Sequence, residues 1–328
     1  MRKFQLHIFS AALAASVLLS CNSMSSGPQP SVPLTKQQIE ALAARAKEPQ
    51  LNGIIIYPSE NGPVFGGVWH MHESEVAAIN FPAIDSDRAP IVSIGTADDR
   101  LNALLDTSSP LTWATLPAMA KMDIKLIKSP TLLGARPTHV YNSFGGFLGV
   151  ASHLNVDQIS IGNALFYVLA ASGPLGTLSR GLDSANISVV FGVDMLKAFN
   201  HVQFNFPAQH VVLSASSDYQ PSDAKLLASI PLIVTNSGIV VAGSMDGSPT
   251  NFVIDTGGDY AIALPPGRPA GKIQQVSLDD LVMRDLPGVP GSDLALGQIT
   301  MPRIGRQALA RFKMTLDFRA KKIHFEKP

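Results

Sequence analysis

The sequence predicts an all-β protein of two similar lobes, and three observations carry that reading. A heptapeptide, Ala103-Leu104-Leu105-Asp106-Thr107-Ser108-Ser109, returns 149 positions later as Phe252-Val253-Ile254-Asp255-Thr256-Gly257-Gly258. In each copy an apolar run with strand character stops on Asp-Thr and two small residues, so a tight turn presents a carboxylate at a strand end. The preceding hairpin repeats in register. Ile91-Val92-Ser93-Ile94-Gly95 lies over Val240-Val241-Ala242-Gly243-Ser244, with Ala97-Asp98-Asp99 over Asp246-Gly247-Ser248 at the turn. Downstream, Phe191-Gly192-Val193 through Phe199 is answered by Ile304-Gly305-Arg306 through Phe312, and a strand pair follows each. The order hairpin, Asp-Thr, apolar-apolar-Gly, short helix, closing hairpin is an internal duplication.

These motifs resemble those of the two-lobed, pepsin-like aspartic peptidases, in which each lobe is similar to one retroviral-protease subunit. Asp255-Thr256-Gly257 matches the family's active-site triplet. Leu105-Asp106-Thr107-Ser108-Ser109, with Trp113 seven positions after the aspartate, resembles the pepsin pattern Asp-Thr-Gly-Ser and its later Trp. Ile304-Gly305-Arg306-Gln307-Ala308-Leu309 followed by Thr315-Leu316-Asp317-Phe318 is close to the retroviral closing segment. The likeness spans residues 86 to 328. It implies a pair of β-barrel lobes with a central cleft, residues 51–217 forming the N-terminal lobe with its flap and residues 218–328 the C-terminal lobe.

Taken in order, the chain opens with a targeting segment, residues 1–21. Arg2 and Lys3 precede an apolar run from Ile8 to Leu19, too short to span a bilayer, and Leu18-Leu19-Ser20-Cys21 resembles a bacterial lipobox. Cys21, the only cysteine, is then the lipidated first residue of an exported, membrane-anchored protein on the periplasmic side or cell surface. With no second cysteine the fold has no disulfide and must be held by its core. Residues 22–50 read as a Ser/Gly/Pro-rich tether and a helix from Thr35 to Ala46, with Thr35 as N-cap and Ile39, Leu42 and Ala43 on one face. Lys36, Arg45 and Lys47 fit either a prosegment over the cleft or a helix packed on the body, and the second is the simpler expectation.

Residues 53–57 and 64–69 read as strands. His70 and His72 share a strand face, but no third ligand lies nearby, so no metal is expected. Lobe one has 86 residues from Asp106 to Gly192, against 50 from Asp255 to Gly305 in lobe two. The surplus contains Val140 to Gly149, read as a glycine-tipped hairpin resembling a substrate-covering flap. Gly145 and Gly146 let its tip move, and Tyr141 and Phe144, with Trp113, offer substrate-binding surface. The Pro/Gly-rich stretch from Gly267 to Gly291 reads as a loop forming a wall of the cleft. Lysine plus arginine and aspartate plus glutamate both total 25, which gives no argument for nucleic acid. No phosphate-binding loop is legible, and no cofactor is expected.

The resemblance implies an aspartic endopeptidase. Asp106 and Asp255 share a proton, one activating water and the other polarising the scissile carbonyl. Thr107 and Thr256 would lock the two loops together, with Ser108, Ser109, Gly257 and Gly258 completing them. Ser109 can donate to Asp106, while Gly258 has no hydroxyl for Asp255, and this assigns the anion to Asp106. Ser108 stands where the family has Gly. If that turn needs a positive φ, its Cβ strains the loop, and the alternative is a peptide-binding module without turnover. Peptide or protein substrate is the expected partner, and a chain that supplies both lobes is expected to act as a monomer.

Overall fold

The computed structural model describes residues 32–57, 64–72, 75–82, 89–96, 99–128, 146–173, 175, 178, 182, 185–216, 218–294, 296 and 299–328. Cys21, Tyr141, Phe144 and Gly145 lie outside them, and with them the lipobox and most of the expected flap.

The principal strands of lobe one are β1 (Val76–Asn80), β2 (Ile91–Gly95), β3 (Arg100–Leu105), β4 (Trp113–Ala114), β5 (Gly146–Val156), β6 (Ile159–Leu169), β7 (Ile187–Phe191), β8 (His201–Asn205) and β9 (His210–Ser214). Those of lobe two are β10 (Leu226–Pro231), β11 (Gly238–Met245), β12 (Ser248–Asp255), β13 (Ile262–Leu264), β14 (Gly271–Leu278), β15 (Leu281–Pro290), β16 (Arg303–Gly305), β17 (Lys313–Asp317) and β18 (Lys322–Glu326). Pairing in lobe one runs β2-β3-β7-β4-β6-β5 and closes from β5 back to β2. Lobe two repeats this as β11-β12-β16-β13-β15-β14, closed by β14 on β11. Each lobe is therefore a closed six-stranded barrel, which leaves no free sheet edge within the ring.

The barrels are joined by a third, antiparallel sheet in the order β10-β18-β17-β8-β9-β1. Its two halves meet where β8 pairs with β17, Gln203 opposite Thr315, so the duplication seen in the sequence becomes a pseudo-two-fold axis through this sheet. Val202, Phe204, Leu213, Met314, Leu316 and Phe325 are buried in one core cluster that also takes in Leu105, Phe191 and Ile254 beside the Asp-Thr turns. The period-2 alternation of β8 and β17 puts this apolar set on one face and His201, Gln203 and Thr315 on the other.

The helices are short. α1 (Lys36–Ala43) begins at Thr35, whose side chain and Gln38 form a capping box. Ile39, Leu42 and Ala43 pack against the core, so α1 lies on the body of the molecule. α2 (Leu116–Lys121) follows β4 and has no counterpart in lobe two, while α3 (Val193–Leu196) and α4 (Arg306–Leu309) are counterparts.

Two sequence expectations fail here. Residues 267–291 are not a loop: most of them form the β14–β15 hairpin, with Val276 opposite Met283 and Leu278 opposite Leu281. The alternation of buried residues slips at Arg284-Asp285, both exposed, where Asp285 takes φ +58°. That irregularity hides the period. Gly146 is likewise not at a mobile tip. It starts the buried strand β5, whose hairpin turn lies at Asp157-Gln158. A Cβ at Gly146 would stand 2.5 Å from Val168 O, and one at Gly149 2.5 Å from Ile124 Cγ2. Close packing, not mobility, requires glycine at both positions.

Candidate active site

The site is built by the two strands that end on aspartate. β3 lies parallel to β7 and β12 parallel to β16, so each carboxylate-bearing strand end is flanked by an apolar-apolar-Gly segment that runs into α3 or α4. The glycines are needed for close approach: a Cβ at Gly192 would come 2.2 Å from Leu111 O, and one at Gly305 2.3 Å from Tyr260 O. Asp106 and Asp255 are both fully buried, 0% exposed, as are Thr107 and Thr256.

The turns are fastened to each other. Thr107 N–H donates to Thr256 Oγ1 and Thr256 N–H to Thr107 Oγ1, both at 3.1 Å. Thr107 Oγ1 donates to Ile254 O at 2.6 Å, and Thr256 Oγ1 to Leu105 O at 2.7 Å. Ile239 N–H donates to Thr107 O at 2.9 Å, and Gly238 (φ +96°) backs so closely on this turn that a Cβ would meet Thr107 O at 2.3 Å. Each threonine thus replaces hydrogen bonds that buried backbone would otherwise lack, and the two Asp-Thr turns face each other across the pseudo-axis.

Around the carboxylates the symmetry breaks. Ser108 donates to Asp106 Oδ1 twice, through its N–H and its hydroxyl, each at 2.8 Å. Ser109 Oγ donates instead to Leu111 O at 2.7 Å, so the expected Ser109–Asp106 bond is replaced by one from Ser108. Nor does Ser108 strain its turn, since it is not among the residues with positive φ. In lobe two Gly257 and Gly258 carry no hydroxyl, and two residues unremarked in the sequence take over. Tyr260 OH donates to Asp255 Oδ2, and Arg303 approaches the same oxygen at 3.5 Å. Gly258 is fixed by this arrangement, because a Cβ there would lie 2.5 Å from the Tyr260 ring. The duplication held the clue: Tyr260 stands at the place of Leu111, and Arg303-Ile304-Gly305 sets a cation where Val190-Phe191-Gly192 has an apolar residue.

Behind the turns, Arg306 of α4 reaches Asp259 Oδ1 at 3.7 Å, and Thr112 Oγ1 donates to Asp194 Oδ1 of α3 at 2.6 Å. Trp113, in β4, packs against the Tyr167 ring at 5.6 Å between centroids. Among the described residues no three His, Cys, Asp or Glu side chains are grouped as a metal would need. No described helix is long and apolar enough to cross a membrane.

Neither a family model nor a curated protein sequence matches this chain. Among solved structures it is similar to basic 7S globulin from soybean, with 10% identity over 77% of this chain and 95% of that one, at a TM-score of 0.48.

Proposed function

We propose that this chain is an aspartic endopeptidase that hydrolyses peptide bonds with Asp106 and Asp255 in a cleft between the two barrels. The observation that carries the reading is the reciprocal Thr107–Thr256 lock, which sets two buried carboxylates at equivalent strand ends facing one pseudo-axis. Two carboxylates so placed share a proton, because a second negative charge in a buried site is costly. One carboxylate of the pair is then the general base on water and its protonated partner polarises the scissile carbonyl; Ser108 donates to Asp106, and Tyr260 and Arg303 engage Asp255, so each carboxylate has its own support. After water adds, the pair returns a proton to the leaving amine.

One observation favours a second reading, a peptide-binding module without turnover: Asp255 Oδ2 is already engaged by both Tyr260 and Arg303. Cleavage of a mixed peptide library between about pH 3 and 7.5 separates the two readings. Turnover by the parent that is lost in both Asp106→Asn and Asp255→Asn supports the enzyme. Binding without turnover, retained by both variants, supports the module. The anchor belongs to the same proposal: Cys21 carries lipid, and the chain works as a membrane-held monomer. Cys21→Ser should move the protein from the membrane to the soluble fraction, and retention in the membrane contradicts the anchor.

A further inference from the structure

One stretch of lobe one exposes apolar surface that the fold leaves uncovered. The strands Ile55–Tyr57 and Val64–Gly66 pair with each other alone, among the described residues, as a two-stranded ribbon. Alternation gives the ribbon two faces. Ile56 and Phe65, directly opposite each other, turn inward and pack with Ile127, Leu148, Val150 and Leu165. Ile55, Tyr57 and Val64 turn outward. Tyr57 stands opposite Val64, and its ring lies over Gly66, where a Cβ would come within 3.1 Å of it. Leu51 belongs to the 3-10 turn, Pro49–Asn52, that leads into the ribbon. Leu51, Ile55, Tyr57 and Val64 are 50–73% exposed, four of the nine large apolar side chains so exposed among the described residues, and they fall within fourteen positions. Such a concentration marks a contact surface, whereas scattered exposed residues would not.

The border of this face is basic. Lys47 N–H donates to Leu126 O at 2.9 Å and Lys128 N–H to Lys47 O at 2.8 Å, so both lysines flank Ile127 of the ribbon's own core cluster. Arg45, Lys47, Lys125 and Lys128 are exposed there beside Glu48 and Asp123. Lys128 takes Glu48 at 2.6 Å and Lys125 takes Asp123. Arg45 and Lys47 make no ion pair among the described residues, which leaves a positive border on a chain whose net charge is zero. The tether arrives nearby. Pro33 pairs opposite Ala171, four positions beyond Tyr167, whose ring packs on the same cluster, a distance of at most about 14 Å along the chain. The eleven residues from Cys21 to Val32 reach at most about 40 Å, a leash that lets the ribbon touch the surface holding the anchor.

We propose that this face docks on a lipid bilayer with anionic head groups. Leu51, Ile55, Tyr57 and Val64 enter the boundary between head groups and acyl chains, and Arg45 and Lys47 face the phosphates. A tyrosine suits that boundary, with its apolar ring and polar tip. A second copy is the poorer occupant, because a two-fold contact lays the same patch on itself and brings two basic borders together. The choice of partner rests on the reading of Cys21 as a lipid anchor: the anchor holds the molecule and the ribbon orients it.

Cosedimentation with vesicles tests this on the chain from Asn22 onward, which lacks the lipidated cysteine and keeps every described residue. The parent should bind vesicles of phosphatidylcholine and phosphatidylglycerol in equal parts at least about tenfold tighter than Ile55→Ser/Tyr57→Ser/Val64→Ser does. Arg45→Gln/Lys47→Gln should lose about tenfold on the same vesicles, and the parent should lose as much on phosphatidylcholine alone. Val282→Ser removes an exposed apolar side chain from lobe two and should bind like the parent. Single variants keep the test independent of the triple variant's folding: vesicles should shift the emission of Tyr57→Trp to the blue and leave that of Val282→Trp in place. No binding by the parent, undiminished binding by the triple variant, or an unshifted Tyr57→Trp overturns the proposal. Self-association of the parent through Ile55, Tyr57 and Val64 without vesicle binding also overturns it and identifies a second copy. Because this chain carries no lipid, such a failure leaves the Cys21→Ser test of the anchor to be decided by its own result.

Discussion

Asp106 and Asp255 occupy equivalent positions with different neighbours, and the difference is testable one side chain at a time. Ser108→Ala keeps the backbone bond to Asp106 Oδ1 and loses the hydroxyl, while Ser109→Ala removes only a bond to Leu111 O. Arg303→Leu takes the cation from Asp255. Losing a donor or a cation disfavours the ionised carboxylate. The kcat/KM profile of the pair should therefore move to higher pH in Arg303→Leu and in Ser108→Ala, and not in Ser109→Ala. A shift confined to Ser109→Ala contradicts these assignments. Asp194 gives a prediction about stability. Burial pushes its carboxyl from 3.8 up to about 6, against opposing hydrogen bonds from Thr112 and the Met195 N–H and the charge of Lys197. A raised carboxyl favours folding while protonated, and that contribution is lost as pH rises from about 4 through 6. Asp194→Asn escapes the loss, so it should be more stable than the parent at pH 7.5 by on the order of 2 kcal/mol, the gap closing toward pH 4 in urea unfolding. Asp106, Asp255 and both threonines were legible because one contiguous pattern carries them. Tyr260 was not, because it reaches Asp255 only through the way its turn folds back. Arg303 was not, because a strand 48 residues away brings it there.

Among the elements, the paired turns do the joining. Each threonine hydroxyl accepts one backbone bond and donates another across the lobe boundary, so the two residues form a single unit. Thr107→Ala or Thr256→Ala leaves buried backbone groups without partners and should destabilise by about 2–3 kcal/mol each in urea unfolding. The double variant should cost less than the sum by more than about 0.5 kcal/mol, because breaking either half loosens the other. Strict additivity would mean that the halves are independent. The strands before and after each Asp-Thr turn were readable from alternation and repeat. The β14–β15 hairpin was not, since Asp285 shifts the phase of burial and Pro287 and Pro290 imitate a loop composition. In the same way Gly145-Gly146-Phe147 has the composition of a turn, yet Gly146 and Phe147 belong to a strand pressed against Val168 and Leu169. Composition cannot distinguish a glycine that bends from one that lets another backbone approach.

For the molecule as a whole, the duplication is realised as two barrels sharing one sheet, and the chain between the lobes is clasped to that sheet. Tyr219 lies between the rings of His201 and His324, at 5.3 and 5.5 Å, and its hydroxyl donates to Glu326, which also pairs with Lys313 at 3.0 Å. Burial pushes the Glu326 carboxyl up, but the bonds from Tyr219, Lys313 and Ser222 N–H outweigh it and hold it below the usual carboxylate range. Both lobes are thus tied on the outer face of the shared sheet as well as at the turns, a rigid frame of the kind needed to hold two carboxylates at a fixed separation. The claim that these carboxylates act together on a peptide bond is tested most directly with a matched pair of peptides. One carries a tetrahedral carbinol in place of the scissile amide, and the other is the unmodified amide. An enzyme is complementary to the tetrahedral state, so the parent should bind the carbinol peptide at least about 100-fold tighter, and Asp106→Asn and Asp255→Asn should each erase that preference. Equal affinity of the parent for both peptides, unchanged in the two variants, would contradict the account and leave a cleft that recognises peptides without cutting them.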